Sequence, residues 1–364
     1  MATPELVQPA PEETPRGVPS VVATVGSRRA ALLRLLASLA ATVAIFSALI
    51  VALGENPADA FDAFWEGAAG NKFNLGQTLM IASLLACTGL AAAIPFQAHL
   101  WNVGGEGQLW FGAFASITLA LVLPDGMEGW LAITITVIGA TVAGALWGFI
   151  PGILKATVNA NEVITSLMLV FIAIALGNYA ISKLFPSQSN STESVPFDRL
   201  LPNIWEGTLV TAGALLALGA VIVAIVLMTG TSLGFQIRAV GLNRNTARIN
   251  GMRTGRVTVT AFAIGGAFGG LAGAIAVLGI NSALAAGFSA NFGFLGIAVA
   301  LLARLKPWWI LPSALLFAAL RTGSSGLQAQ TGISATVGEI LATVFVILLL
   351  AFGVIRLRYA EAAQ

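Results

Sequence analysis

The polar residues best suited to act on a solute lie in one glycine-rich segment, residues 101–108, with the sequence Trp-Asn-Val-Gly-Gly-Glu-Gly-Gln. It holds one carboxylate, Glu106, and two amides, Asn102 and Gln108, between long apolar stretches. Glycine lets a helix break, and membrane transporters place broken helices around their solute sites. The segment therefore predicts a broken membrane helix with polar groups at the break.

These three polar residues each have two interpretations. A charge at mid-depth costs about 2.5–3.5 kcal/mol on insertion scales, so a retained Glu106 predicts a cavity or gate in the solute pathway. At headgroup depth it would instead complement the dipole of the following helix. Asn102 and Gln108 could bind a solute's hydroxyls or base edge, or cap the break, and both alternatives stay open. Trp101 is grouped with them as a pathway residue.

Composition indicates the class of protein that positions this segment. The 364 residues are 57% hydrophobic and 9% charged, against roughly 25% charged in soluble domains. Long apolar runs without ionised groups cross a bilayer as helices, since every backbone polar group must be satisfied internally. We predict an all-α integral membrane protein of about ten transmembrane helices, some short or broken. The predicted spans are 35–54, 75–96, 107–123, 130–154, 163–182, 208–229, 257–280, 292–303, 307–320 and 337–355, the eighth and ninth being short.

The distribution of positive charge predicts the orientation. With both termini in the cytoplasm, Lys72, Lys183, Arg199 and Arg321 fall outside and the other 14 of the 18 Lys and Arg fall inside, as the positive-inside rule requires. Residues 1–28 are rich in proline and predict a disordered cytoplasmic tail. The membrane domain extends from 29 to 358, and residues 359–364 form a second cytoplasmic tail.

The largest inner loop, 230–256, differs from an ordinary charged connection. It combines apolar residues at helical spacing with arginines around them, which predicts an amphipathic helix that docks on a soluble partner or lies on anionic headgroups. Its predicted coupling residues are Phe235, Arg238, Ala239, Leu242, Arg244 and Arg248.

Two further features are weaker. Asn291-Phe-Gly-Phe resembles Asn102-Val-Gly-Gly in preceding a glycine and an apolar helix, which suggests an internal repeat with broken helices at matching places and adds Asn291 to the pathway candidates. Arg321 and Glu339 lie near the predicted outer ends of late spans, where they could pair across the last hairpin.

Five segments carry motifs in a fixed order along the chain. They are residues 99–109 (His-Leu-Trp-Asn-Val-Gly-Gly-Glu-Gly-Gln-Leu), 161–169 (Asn-Glu-Val-Ile-Thr-Ser-Leu-Met-Leu), 238–243 (Arg-Ala-Val-Gly-Leu-Asn) running on to 250–252 (Asn-Gly-Met), 292–302 (Phe-Gly-Phe-Leu-Gly-Ile-Ala-Val-Ala-Leu-Leu) and 320–323 (Leu-Arg-Thr-Gly). They resemble permease subunits of bacterial ABC importers for nucleosides and simple sugars, within the wider family that also serves branched-chain amino acids and ribose. The resemblance covers about residues 75–355. Residues 303–306 (Ala-Arg-Leu-Lys) and Trp101, where phenylalanine is usual, depart from the pattern.

The resemblance implies a transmembrane pathway subunit with alternating access, in a bacterial cell membrane. It implies three partners: a cytoplasmic ABC ATPase, an extracytoplasmic substrate-binding lipoprotein, and a second permease chain, either related or identical. ATP would bind the ATPase and not this chain, which has no G-x-x-x-x-G-K-[ST] segment and no Gly-Lys pair. We expect no cofactor, no metal and no nucleic acid on this chain.

Two other classes are weighed against this one. A self-sufficient ion-coupled secondary transporter of a small polar solute would need buried acids, for which only Glu106 and Glu339 are available. A membrane-embedded enzyme would need an Asp, His and Ser constellation that the sequence lacks. We therefore expect a transport subunit and not an enzyme.

Overall fold

The computed structural model describes residues 28–187 and 190–351, which are helical with only isolated β-bridges between loops. The α-helices are α1 Arg28–Ala52, α2 Pro57–Trp65, α3 Lys72–Gln97, α4 Gly105–Val122, α5 Gly129–Val158, α6 Glu162–Tyr179, α7 Gly213–Gly230, α8 Ser232–Leu242, α9 Arg244–Ile249, α10 Thr254–Ile275, α11 Phe292–Leu302, α12 Pro307–Thr331 and α13 Ala335–Ala351. π-Helical turns extend α2, α6 and α10, at Glu66–Gly70, Ala180–Leu184 and Ala276–Asn281 respectively. The predicted tails 1–28 and 359–364 lie outside the described residues, except that α1 begins at Arg28.

The all-α membrane fold predicted from the sequence is confirmed. Six described helices are long and apolar enough to cross a membrane, or seven if α1 and α2, which bend by 116°, count as one span. Each of the ten predicted spans coincides with a helix, because hydropathy alone is enough to locate them. Helices α4, α11 and α13 account for the rest. Helix α4 is as long as α7 but has a more polar first turn, and α11 has only 11 residues, as its predicted short span requires.

Three local predictions were wrong. The ninth span is not short, since α12 runs 25 residues to Thr331 and places Arg321 within a helix. The inner loop does not form one helix but two, because the side chain of Asn243 accepts from Thr246 N and starts α9 there. Helix α2 was missed, although the Asn56 cap before Pro57 is a helix start signal that the sequence contains.

Helices α3 and α10 form the centre of the bundle. In the most apolar 18-residue stretch of each helix, 89% of the residues are buried in α3 and 78% in α10, but only 28% in α5. Helix α5 therefore has one side available to lipid. Helix α10 packs on α5 without intervening side chains: a Cβ added at Gly270 would lie 2.2 Å from Ala140 O and 2.9 Å from Gly144 Cα. Such small-residue contacts let membrane helices approach to backbone distance.

The two ends of the bundle differ. The loop face is defined by residues 185–187 and 190–212. It is joined by main-chain hydrogen bonds to the π-helical turn after α10, as in Leu201 N to Leu278 O, and to the loop that follows it, as in Thr192 N to Leu284 O. Arg199 lies buried beneath this connection and donates to the carbonyls of Ala120 and Leu123 at the end of α4. The opposite α8 face carries α8 and α9.

Candidate functional site

The glycine-rich segment forms the break between α3 and α4, as the sequence predicted. Its first polar residue, Asn102, accepts from Gly104 N at 3.1 Å and donates to Ala91 O at 3.0 Å. Asn102 and Gln108 also pair amide to amide, with N···O distances of 3.2 and 3.3 Å. Both are almost fully buried. These contacts hold the backbone of the break, whereas the first turn of α4 has no side-chain cap, so both interpretations of the two amides stay predictions.

Glu106 connects α4 to the start of α11. Its carboxylate accepts from Gly293 N at 2.7 Å, from Trp110 Nε1 at 3.1 Å, and from Ser289 Oγ. The residue is 1% exposed, so it faces neither solvent nor a cavity in this conformation. A carboxylate at this depth is tolerated because donors surround it.

The N-termini of α4 and α11 meet at this carboxylate. A Cβ added at Gly293 would lie 2.2 Å from both the N and the Cα of Glu106, so the first turns of α4 and α11 are in backbone contact. A helix N-terminus carries about half a positive charge, and here two such ends converge on one negative group. Asn291 precedes α11 at φ +63° but makes no side-chain cap, a role that Glu106 takes over from another helix.

The predicted pathway residues are therefore only partly brought together. Asn102 and Gln108 form one buried pair, Glu106 is buried separately among Trp110, Ser289 and Gly293, and none of the three is among the residues that line the recess described next. Trp101 is 41% exposed toward the α8 face and packs on Phe96 with ring centroids 4.8 Å apart. Asn291 is exposed on the other side of the break.

An open recess that the sequence did not predict lies beside Phe292, next to the contact between Glu106 and Gly293 and toward the loop face. Its volume is about 150 Å³. One wall is a stripe of α3 at helical spacing, with Gln77, Ile81 and Leu84, a signal visible in the sequence once that helix is placed. The rest comes from Met80, Leu209, the turn Gly279–Asn281, Phe288 and Phe292.

Arg321 and Glu339 are in contact through Nη1 and Oε1, between α12 and α13. The pair is partly exposed, with 27% of the Arg321 side chain and 48% of the Glu339 side chain accessible. Arg321 also lies over the ring of Phe292, with Cζ 5.6 Å from its centroid. This cation–π contact places Arg321 beside Phe292, which lines the recess.

At the α8 face, α8 packs closely against the end of α3. A Cβ at Gly241 would lie 2.0 Å from Gln97 O, and Ile237 and Val240 are buried on the same side. The opposite side exposes 57% of Phe235 and 86% of Leu242, with Ala239 half-buried between them.

The predicted arginines of this region divide between two helices. Arg238 lies half-buried on α8, whereas Arg244 and Arg248 are exposed on α9. The six predicted coupling residues thus occupy one end of the bundle, around an exposed apolar pair.

Comparison with known proteins gives a consistent result. Residues 74–354 match the family model described as branched-chain amino acid transport system / permease component. The chain is 33% identical over 323 residues to a glucose ABC transporter permease protein of Haloferax volcanii, covering 85% of this chain and 84% of that one. It is 32% identical over 308 residues to a guanosine ABC transporter permease protein of Bacillus subtilis, covering 82% and 87%. A second guanosine ABC transporter permease protein of Bacillus subtilis matches at 22% identity over 251 residues, covering 66% and 78%.

Proposed function

Since the chain belongs to the family of branched-chain amino acid transport system permease components, we propose that it forms the transmembrane pathway of an ATP-driven importer for nucleosides or related simple sugars. The observation that carries the proposal is the similarity to guanosine and glucose permeases over more than four fifths of the chain. The chain is a multi-pass membrane protein and a transport subunit, not an enzyme. We place it in a cell membrane with both termini in the cytoplasm and the loop face outside.

The buried cluster at Glu106 supports a role in alternating access. Two helix N-termini that meet at one carboxylate form a joint between the α3–α4 and α10–α11 segments. Rocking of such segments opens a pathway alternately to either side. In this proposal Glu106 acts as the gate residue by holding the joint closed. Asn102 and Gln108 keep the break in shape while the segments move.

The α8 face supports docking of a cytoplasmic ABC ATPase. Phe235 and Leu242 form an exposed apolar pair suited to a groove, with Arg238, Arg244 and Arg248 around its rim. Because α8 is in backbone contact with Gln97, a displacement of α8 moves the end of α3 and the break that follows it.

Two further partners belong to the proposal. An extracytoplasmic substrate-binding lipoprotein would deliver solute to the loop face. A second permease would complete the pathway, since the recess of about 150 Å³ is smaller than the roughly 300–1,000 Å³ of small-molecule sites. The two guanosine permease proteins of Bacillus subtilis, both similar to this chain, favour a related chain over an identical one.

The ion-coupled alternative is less favoured, because both of the acidic residues that it needs already have partners. Glu106 has its carboxylate engaged by three donors, and Glu339 is paired with Arg321. Neither is poised to take up a proton or sodium ion.

Reconstitution tests the energy source. We expect liposomes that hold this chain, its ATPase, its second permease and its binding protein to take up guanosine or glucose only with ATP inside. A variant ATPase that binds but does not hydrolyse ATP is the control. Accumulation by the purified chain alone under a proton or sodium gradient would refute the importer and favour the ion-coupled carrier.

A second experiment tests the docking surface. Replacing Phe235 and Leu242 with aspartate should abolish co-purification with the ATPase, because a helix in a groove derives its affinity from buried apolar anchors. Replacing Arg244 and Arg248 with glutamine should be milder and salt-sensitive, since rim charges mainly alter on-rate. Phe197→Asp, at a residue 91% exposed on the loop face, is the matched control and should copurify normally.

The docking proposal is contradicted if the variant with aspartate at 235 and 242 copurifies normally with the ATPase while the variant with glutamine at 244 and 248 inserts with inverted topology. The 230–256 region would then be only a topogenic signal.

A further inference from the structure

The recess beside Phe292 has the chemistry of a site for a planar heterocycle. Building on the proposed function, we infer that it binds the base of a nucleoside, and that Phe288, Phe292, Gln77 and Asn281 make the contacts. The inference chooses between the two solute classes of the relatives, a nucleoside and a sugar.

The position of the recess suits a solute arriving from the loop face. The lining stripe of α3 begins at Gln77, five residues after the helix start at Lys72, which is about 7 Å along the axis. Leu84, at the bottom of the stripe, is about 18 Å along it. The recess therefore ends at roughly the depth at which α11 begins, next to the joint at Glu106.

Its lining favours a flat, mostly apolar ring. Met80, Ile81, Leu84, Leu209, Ile280, Phe288 and Phe292 are apolar, and only Gln77 and Asn281 offer side-chain amides. Aromatic rings stack on bases of any kind, and an amide can both donate to and accept from a base edge. A sugar would place several hydroxyls against this apolar wall without partners, which is costly.

The two rings are held in place by the surrounding contacts. Phe288 packs edge-on against Trp110 with centroids 4.6 Å apart, and Trp110 donates to Glu106. Phe292 lies under the Arg321 guanidinium. Rings fixed before binding lose little freedom when a base stacks on them, and the contact through Trp110 links occupancy of the recess to the joint.

The size of the recess limits what it holds from one chain. About 150 Å³ accommodates a ring but not a whole nucleoside, given roughly 300–1,000 Å³ for complete small-molecule sites. The ribose would extend away from α3 toward the second permease.

Cysteine protection in the complete importer tests the inference. In a Cys87→Ser background, Ile280→Cys places a thiol at the rim, where the native side chain is 38% exposed. Trp205→Cys, at a residue 37% exposed on the loop outside the recess, is the matched control. During ATP-driven uptake we expect guanosine, but not glucose, to slow maleimide labelling at position 280 and not at position 205.

A second measurement uses uptake rate at saturating binding protein. Phe288→Leu and Gln77→Leu should each lower guanosine uptake about tenfold, as the loss of one base contact does. Phe171→Leu, at a residue 60% exposed on α6, should leave uptake unchanged.

The outcomes separate this inference from the proposed function. ATP-driven guanosine uptake without protection at position 280, or with normal uptake in both recess variants, overturns the recess and leaves the importer standing. Protection by glucose instead of guanosine overturns the choice of a base. Absence of ATP-driven uptake of either solute would refute the proposed function itself.

Discussion

Replacing Glu106 with alanine should destabilise the protein by breaking the joint between α4 and α11. Ser289 Oγ and Trp110 Nε1 lie 3.0 Å apart and keep each other as partners. The amide of Gly293 belongs to the first turn of α11, where helical N–H groups have no acceptor within their own helix. It therefore remains buried without its carboxylate.

The magnitude follows from these contacts. An orphaned buried donor costs about 1–3 kcal/mol, and a hydrogen bond to a charged group contributes about 1.5–3 kcal/mol. We expect Glu106→Ala to lower the free energy of unfolding by roughly 2.5–6 kcal/mol, to reduce uptake severely, and to leave membrane insertion intact because the apolar spans are unchanged. Glu106→Gln keeps one accepting oxygen but turns an NH₂ group toward a donor, so its loss should be intermediate.

Thermal unfolding of the purified permease in detergent, together with uptake at matched expression, measures both effects. Glu55→Gln, at an exposed residue between α1 and α2, is the control and should change stability by about 0.5 kcal/mol or less. If Glu106→Ala unfolds like the wild type while uptake is lost, the carboxylate acts on the solute and the joint is not its role. If Glu106→Ala has both the stability and the uptake of the wild type, the carboxylate neither holds the joint nor acts on the solute.

Two further predictions concern packing. Arg199→Met removes the donors that hold the loop face to the end of α4 and should cost about 1–3 kcal/mol for each carbonyl left buried without a donor. Proteases should then cut residues 185–206. Lys183→Met, at an exposed residue, should leave the loop protected. Gly270→Ala forces a Cβ to 2.2 Å from a backbone oxygen and should strongly reduce the folded yield on size-exclusion chromatography. Gly219→Ala, with open space around it, is the control and should be neutral or stabilising by up to about 1 kcal/mol. Equal yields of the two glycine variants would show that α5 and α10 can separate at little cost.

The sequence was a good guide to the helices and a poor one to their contacts. Apolar runs are local properties, so the spans could be located, and the glycines of residues 101–108 did mark a break. The partners of Glu106 could not be found, because Ser289 is 183 residues away and nothing in its own neighbourhood marks it. Trp110, four residues on from Glu106, was the one partner within reach of helical spacing.

The same limit applies to the recess and to the inner loop. The recess combines residues from α3, the π-helical turn after α10, two loops and α11, so no single segment reveals it. In the inner loop, the periodicity continued through Asn243, and the decisive signal was the cap that this residue supplies to α9. Local polar chemistry there outweighed the apolar pattern.

The joint at Glu106 also constrains how the protein is made. Its carboxylate leaves the ribosome before the partners that satisfy it, Ser289 and Gly293, which follow 183 and 187 residues later. At roughly 5–20 residues per second, that interval lasts about 10–40 s. During this time α4 carries a carboxylate without these two partners, which costs about 2.5–3.5 kcal/mol at mid-depth on insertion scales. We therefore expect α4 to stay beside the insertion machinery or at the bilayer surface. The order in which the helices take their final positions therefore differs from their order along the chain, because α4 is in place only when α11 arrives.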